Sequence, residues 1–140
     1  MIRIRVQAVI FDDTGKLLLA KHSKNGKEYY VLPGGGVEYG ERLLDALVRE
    51  LEEELNISKV FSAKLLDVRE FIDSESGRHV LDIYYYVVAN LEGVKLSEND
   101  GVLVGFDFFD LSELKNINVY PSWYFIENLI KESLGYIIKK

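Results

Sequence analysis

The chain has 140 residues, 48% apolar and 29% charged, with seven Phe, nine Tyr and no Cys; that suffices for one domain with its own core and is too apolar for a disordered chain. The missing cysteine excludes disulfides, a thiolate zinc site and a cysteine nucleophile; no apolar run reaches the length of a membrane span and the opening residues lack the form of a signal peptide, so a cytoplasmic protein is expected. Residues 34–57 carry seven acids against two bases, which leaves only −1 of the net charge of −6 for the rest of the chain and no basic patch for duplex nucleic acid.

Residues 3–11 read as a strand rich in β-branched side chains. Asp12–Gly15 is a turn signal, and Lys16–His22 reads as the returning strand of a hairpin. Ser23–Lys27 is polar and reads as a loop, followed by a short extended piece, Tyr29–Leu32, held by Pro33. Residues 34–40 form a glycine-rich loop, and Glu41–Leu55 has the strongest helical periodicity in the chain. Residues 59–72 and 78–91 read as long strands around the turn Asp73–Gly77, and 102–109 as another strand. Pro121-Ser122 opens a last helix of about 13 residues, with Ile126, Leu129, Ile130 and Leu134 on one face. This order predicts an α+β fold with a mixed sheet.

The helix at 41–55 carries the chemistry. At 100° per residue, Leu44, Leu47, Val48, Leu51 and Leu55 make an apolar stripe. Glu50, Glu53 and Glu54 stand at i, i+3 and i+4 and converge on a different face, with no Lys or Arg four residues after any of them. Like charges so placed destabilise a helix. A structural helix interleaves its signs, whereas a carboxylate cluster suits a hard divalent cation. The triple glycine before the helix permits close backbone approach. It is not a phosphate-binding P-loop, since no Gly-Lys-Ser/Thr follows, and Tyr39 breaks the G-x-G-x-x-G pattern.

Together, loop and helix spell Gly35, five residues, Glu41, seven residues, then Arg49-Glu50-Leu51-Glu52-Glu53-Glu54-Leu55-Asn56-Ile57. This resembles the Nudix box, Gly-x5-Glu-x7-Arg-Glu-U-x-Glu-Glu-x-Gly-U with U bulky and aliphatic, and departs from it only at Asn56, which stands where the family has glycine. That position ends the helix, and asparagine tolerates the left-handed backbone expected there. The lead-in Leu32-Pro33-Gly34-Gly35, the opening hairpin, the two long strands and the closing helix also follow the order of a Nudix domain.

The resemblance to MutT-like Nudix hydrolases implies an α/β/α sandwich, with a mixed β-sheet packed between helices, over residues 1–140. It implies hydrolysis of a nucleoside diphosphate linked to another moiety, with Mg²⁺ or Mn²⁺ as cofactor. Glu50, Glu53, Glu54 and the carbonyl of Gly34 would be the metal ligands. Glu41 would act in their outer shell, and Arg49 would orient a catalytic glutamate through a charge-assisted bond. The general base would be Glu53, or a carboxylate of a later loop, Glu98 or Asp100. The ions would neutralise diphosphate oxygens and lower the pKa of an attacking water.

Asp82, Tyr84 and Tyr86 alternate along one strand and are expected to line the substrate cleft, where tyrosine can stack on a base. Lys21 and Arg78 are candidate phosphate contacts. The two histidines, His22 and His79, read as structural, and Trp123 as a core or interface residue. Some Nudix subfamilies carry markers beyond the box. Ile72-Asp73 stands where a proline marks ADP-ribose enzymes, and Glu75 where a tyrosine marks dinucleoside polyphosphate enzymes. The NADH-type segment is missing as well. The expected substrate is therefore an NTP or modified (d)NTP, split into a monophosphate and pyrophosphate. ADP-ribose or a nucleotide sugar is the alternative. A non-catalytic nucleotide sensor on this fold would have lost box carboxylates, whereas Glu41, Glu50, Glu53 and Glu54 are all present. Isopentenyl diphosphate isomerase chemistry relies on a cysteine, which this chain lacks. Many small Nudix proteins pair, so a homodimer is expected.

Overall fold

Along β1 (Arg3–Val9), Val6 and Ala8 alternate with Arg5, Gln7 and Val9. In a strand this puts two sets of side chains on opposite faces. Val6 and Ala8 join one buried core and Val9 the other. β1 is an inner strand of a sheet ordered β4-β1-β6-β5, where β4 is Gly34–Gly36, β5 Val60–Asp73 and β6 Arg78–Ala89. It runs antiparallel to β4 and parallel to β6, and β6 pairs antiparallel with β5. A second sheet, β3-β2-β7, comprises Lys27–Val31, Leu17–Lys24 and Leu103–Phe109, all antiparallel. The computed structural model describes residues 1–97 and 101–139. Glu98 and Asp100, the candidate distal bases, lie outside the described residues.

Two helices cover this middle layer. α1 (Leu43–Leu55) buries Ala46, Leu47, Leu51 and Leu55 against Val6, Ala8, Leu18 and Ile83. α2 (Trp123–Lys139) buries Ile126, Leu129 and Ile130 with Val9, Leu17, Leu19 and Tyr84. Both sheets feed both cores, which makes the α/β/α sandwich. Alternation along β6 sends Ile83, Tyr85 and Val87 to the α1 side and Tyr84 to the α2 side. Leu51 is fully buried, so Leu51→Ala is expected to cost about 2–5 kcal/mol in urea unfolding. A loss under about 1 kcal/mol would contradict its core position.

Four local features differ from the expectation. Ser23–Lys27 is not a loop: β2 runs on to Lys24, β3 starts at Lys27, and Asn25-Gly26 alone makes the turn. Both turn residues have positive φ, 55° and 77°, as a type I′ hairpin turn requires. The Asn-Gly signal was there; the polar residues around it hid it. Gly34–Gly36 is a strand because glycine lets it press onto β1. A Cβ on Gly34, whose φ is 153°, would collide with the Val6 carbonyl and the Gln7 backbone. Leu111–Asn116 forms a 3₁₀ helix, started by a reciprocal cap in which the Asp110 backbone N–H donates to Glu113 Oε1 at 2.8 Å. Finally, α1 is turned from the expected stripe: Leu44 and Val48 are 46% and 38% exposed, and Ala46 takes their place in the core. Among the described residues, no helix is long and apolar enough to cross a membrane.

Candidate active site

The turn of α1 decides where its acids lie. The buried row runs through Ala46, Leu47, Leu51 and Leu55. At helical spacing, Glu50 and Glu54 fall within that row rather than opposite it. Both are half-buried, while Glu53 at the row's edge is exposed. Two carboxylates on the packing face of a helix carry a desolvation cost that a purely structural helix avoids.

Glu41 stands before the helix rather than in it, since α1 begins at Leu43 with Arg42 as its N-cap. From there its carboxylate meets Arg49 two turns into the helix. Arg49 Nε donates to Glu41 Oε2 at 2.7 Å and its NH2 to Oε1 at 2.9 Å, a bidentate pair. NH2 also donates to the Gly36 carbonyl at 3.1 Å, which ties β4 to the helix. NH1 donates to Glu50 Oε1 at 3.0 Å and reaches Glu53 Oε2 at 3.3 Å. One guanidinium thus gathers Glu41, Glu50, Glu53 and the glycine loop. Arg49 precedes Glu53 by four residues, so the acids have a local counter-charge, upstream of them rather than four residues after.

Gly35 faces the same group. A Cβ there would stand 2.5 Å from Glu50 Cδ and 2.6 and 2.7 Å from its two oxygens. The absent side chain is the space in which the Glu50 carboxylate sits. Asn56 closes the helix with φ 57° and ψ 31°, the left-handed end expected of this position. Its side-chain amide donates to the Gly93 carbonyl at 3.1 Å.

The Arg49 side-chain bonds, followed by the Glu38 backbone N–H, hold the Glu41 carboxyl down from 4.5 to about 2. Glu41 in turn raises the Arg49 pKa above its ordinary value. A carboxyl whose folded pKa is depressed stabilises the fold above its unfolded pKa and loses that contribution as pH falls through the folded one. The Tm gap between wild type and Glu41→Gln is therefore expected to be constant above about pH 5 and to close between 4.5 and about 2. A gap that does not change over that window would contradict the ion pair.

A cavity of about 690 Å³ opens on the α2 side of the first sheet. Arg5, Gln7, Asp82 and Tyr84 form one wall, and His22 and Tyr29 of the second sheet another. Gln7 is paired in register with Gly34, and Arg5 with Gly36, so this wall lies one strand from the glycine loop. Of the expected substrate contacts, Arg78 and Tyr84 line the cavity. Lys21 points elsewhere, 3.2 Å from Glu28, and Tyr86 packs against the α2-side core. Arg5 and Gln7 were not singled out in the sequence; the signal was polar residues alternating with Val6 and Ala8 on an inner strand. Burial pushes the Asp82 carboxyl above its ordinary pKa, against the lowering influence of Arg5. His79 pairs with Glu70 at 2.7 Å, and His22 packs edge-on against Tyr29. Trp123 lies partly exposed at the start of α2, its ring against Tyr124.

Among the described residues, no three carboxylate, imidazole or thiol groups converge into a ready-made metal cage. Arg49 lies between Glu50 and Glu53. The donor set nonetheless fits a hard divalent cation. It is all oxygen, Gly35 leaves the Glu50 carboxylate room, and Mg²⁺ needs only one or two carboxylates beside waters and substrate phosphates.

A family model described as the NUDIX domain matches residues 1–129. An ADP-ribose pyrophosphatase of Methanocaldococcus jannaschii is 34% identical over 115 residues, 81% of this chain and 65% of that protein. An RNA pyrophosphohydrolase of Ruthia magnifica is 46% identical over 56 residues, 40% of this chain and 30% of that protein. The matched stretches thus span less than two thirds of these curated relatives. The crystal structure of a MutT NUDIX hydrolase from Burkholderia pseudomallei superposes with a TM-score of 0.77 at 29% identity, covering 91% of this chain and 97% of that one.

Proposed function

This chain belongs to the Nudix family, and from that premise we propose that it hydrolyses the phosphoric anhydride of a nucleoside diphosphate linked to another group. The observation that carries this reading is the Arg49 hub, which joins Glu41, Glu50, Glu53 and the glycine segment on the α1 side of the first sheet, while a cavity of nucleotide size opens on the α2 side of the same sheet, where Gln7 is paired in register with Gly34. Nudix hydrolases generally use divalent metal ions. Here Glu50, Glu53, Glu54 and the Gly34 carbonyl would hold Mg²⁺ or Mn²⁺. When bound, such an ion neutralises diphosphate oxygens and acidifies a water.

The chain's own residues do the rest. Arg49 fixes the rotamers of Glu50 and Glu53, and Glu41 fixes Arg49. Glu53, the most exposed of the three helix acids, would take the proton as water adds to phosphorus and the P–O anhydride bond breaks. Arg78 at the cavity wall supplies positive charge for phosphate, and Tyr84 shapes the nucleoside pocket.

For the substrate, an NTP or modified (d)NTP, split into a monophosphate and pyrophosphate, is our first reading because the subfamily markers beyond the box are missing. ADP-ribose is the second, favoured by the name of the archaeal relative. A nucleotide panel with Mg²⁺, with products separated by ion exchange, tests both. Monophosphate plus pyrophosphate supports the first, and AMP plus ribose 5-phosphate the second. No turnover of any member would overturn the hydrolase reading. We also propose that the protein works in the cytoplasm as a homodimer; light scattering that shows a monomer at micromolar concentration would remove the dimer.

A further inference from the structure

Arg5 and Asp82 face each other across the parallel β1–β6 pair, in the wall of the cavity. Arg5 Nε and Asp82 Oδ1 are 3.8 Å apart, too far for a hydrogen bond to each other. Both atoms are buried, and among the described residues neither has a hydrogen-bond partner. Asp82 is only 8% exposed. Gln7 and Tyr84 hydrogen-bond the Asp82 carboxylate, yet Arg5 Nε and Asp82 Oδ1 stay open side by side, and a buried charged donor and acceptor so left are costly unless a ligand satisfies them. That ligand must present an acceptor next to a donor. Ribose hydroxyls could do so, but the cavity is walled by rings, His22 and Tyr29 from one sheet and Phe71 and Tyr84 from the other. Such walls fit a planar heterocycle.

We propose that Arg5 and Asp82 read the edge of the substrate's nucleobase and favour a lactam edge, N–H beside C=O, as guanine and uracil carry. Arg5 Nε–H donates to the carbonyl oxygen and Asp82 Oδ1 accepts from the ring N–H. Charge-assisted bonds gain most from the more acidic N–H and the more electron-rich oxygen, and a lactam offers both where the amino edges of adenine and cytosine do not. The inference rests on the reading of the site as a nucleotide site and specifies its substrate class.

Binding of nucleoside 5′-monophosphates, measured by calorimetry, tests it without any turnover. Guanosine and uridine monophosphates are expected to bind about tenfold or more tightly than those of adenosine and cytidine. Asp82→Asn, close in shape, is expected to remove most of that preference. On the wild type alone, 1-methylguanosine monophosphate, which lacks the ring N–H, is expected to lose about the same factor against its unmethylated parent. That comparison stands even if the variant does not fold. Equal binding of all four bases, no effect of methylation, or no binding of any monophosphate at millimolar concentration would overturn the proposal. A nucleotide panel without turnover would remove the hydrolase reading alone. Turnover without base preference in binding would remove this one alone.

Discussion

Glu53→Gln is expected to lower turnover by orders of magnitude while leaving the metal-free protein about as stable as wild type. Glu53 has a side chain 49% exposed and belongs to neither apolar core, and glutamine keeps its shape, so the change opens no cavity. Its Arg49 contact at 3.3 Å is the longest of that guanidinium's bonds. An ion pair of this exposure is worth at most about 1 kcal/mol. The loss is offset by relief of repulsion from Glu50, three residues back on the helix, a few tenths of a kcal/mol. With Mg²⁺ the two proteins should separate. A cation that binds only the folded state stabilises it by about 2.7 kcal/mol at a hundredfold excess over Kd. Wild type should gain that increment and the variant much less. Thermal unfolding of both, with and without Mg²⁺, beside a turnover assay, checks this. Marked destabilisation in chelator would give Glu53 a structural role. Retained stability with retained turnover would show that it is neither an essential ligand nor the base, and would shift the base to a carboxylate such as Glu98.

Gly35→Ala should also cost activity far more than stability. The backbone at Gly35 does not have a positive φ, so alanine is conformationally allowed. The new Cβ would fall 2.5–2.7 Å from the Glu50 carboxyl group. That group is the free end of a flexible side chain and can swing away. In doing so it loses its bond to Arg49 and its place over the loop. A misplacement of about 1 Å in a catalytic group can cost about a hundredfold in rate, so kcat is expected to fall by about two orders of magnitude with little change in Tm. Gly34→Ala is the contrast. There the Cβ meets the backbone of β1, which cannot swing aside, so stability itself should fall. If Gly35→Ala keeps full turnover, the position of Glu50 does not matter to the reaction.

The α+β order was legible because both helices and the long strands carry strong periodic signals, and the α/β/α sandwich followed from the resemblance that the box carries. What the sequence hid was mostly the rotation of elements. By apolar count alone, Leu44 and Val48 belong to the helix stripe, and only the tertiary contact with β1 and β6 shows that Ala46 faces inward instead. That rotation half-buries Glu50 and Glu54, so the acids' position is a property of packing rather than of helix pattern. The Glu41–Arg49 pair follows from where the helix begins. A boundary moved by two residues takes Glu41 off the helix and lets it reach back to Arg49. Alternation along β6 puts Asp82 and Tyr84 at the cavity, while Tyr86, on the same face, packs against the α2-side core. Side-chain direction could not be read for Lys21, whose Glu28 partner depends on the hairpin that Asn25-Gly26 closes.

The central claim is that the acids gathered by Arg49 make a cation-dependent hydrolytic site. Its most direct test uses wild-type protein stripped by exhaustive chelation and given the nucleotide panel, with hydrolysis products separated by ion exchange before and after Mg²⁺ is restored. The expected result is no release before restoration and sustained release of one product pair after it. Equal release in chelator, or no release from any nucleotide once Mg²⁺ is present, would contradict the account.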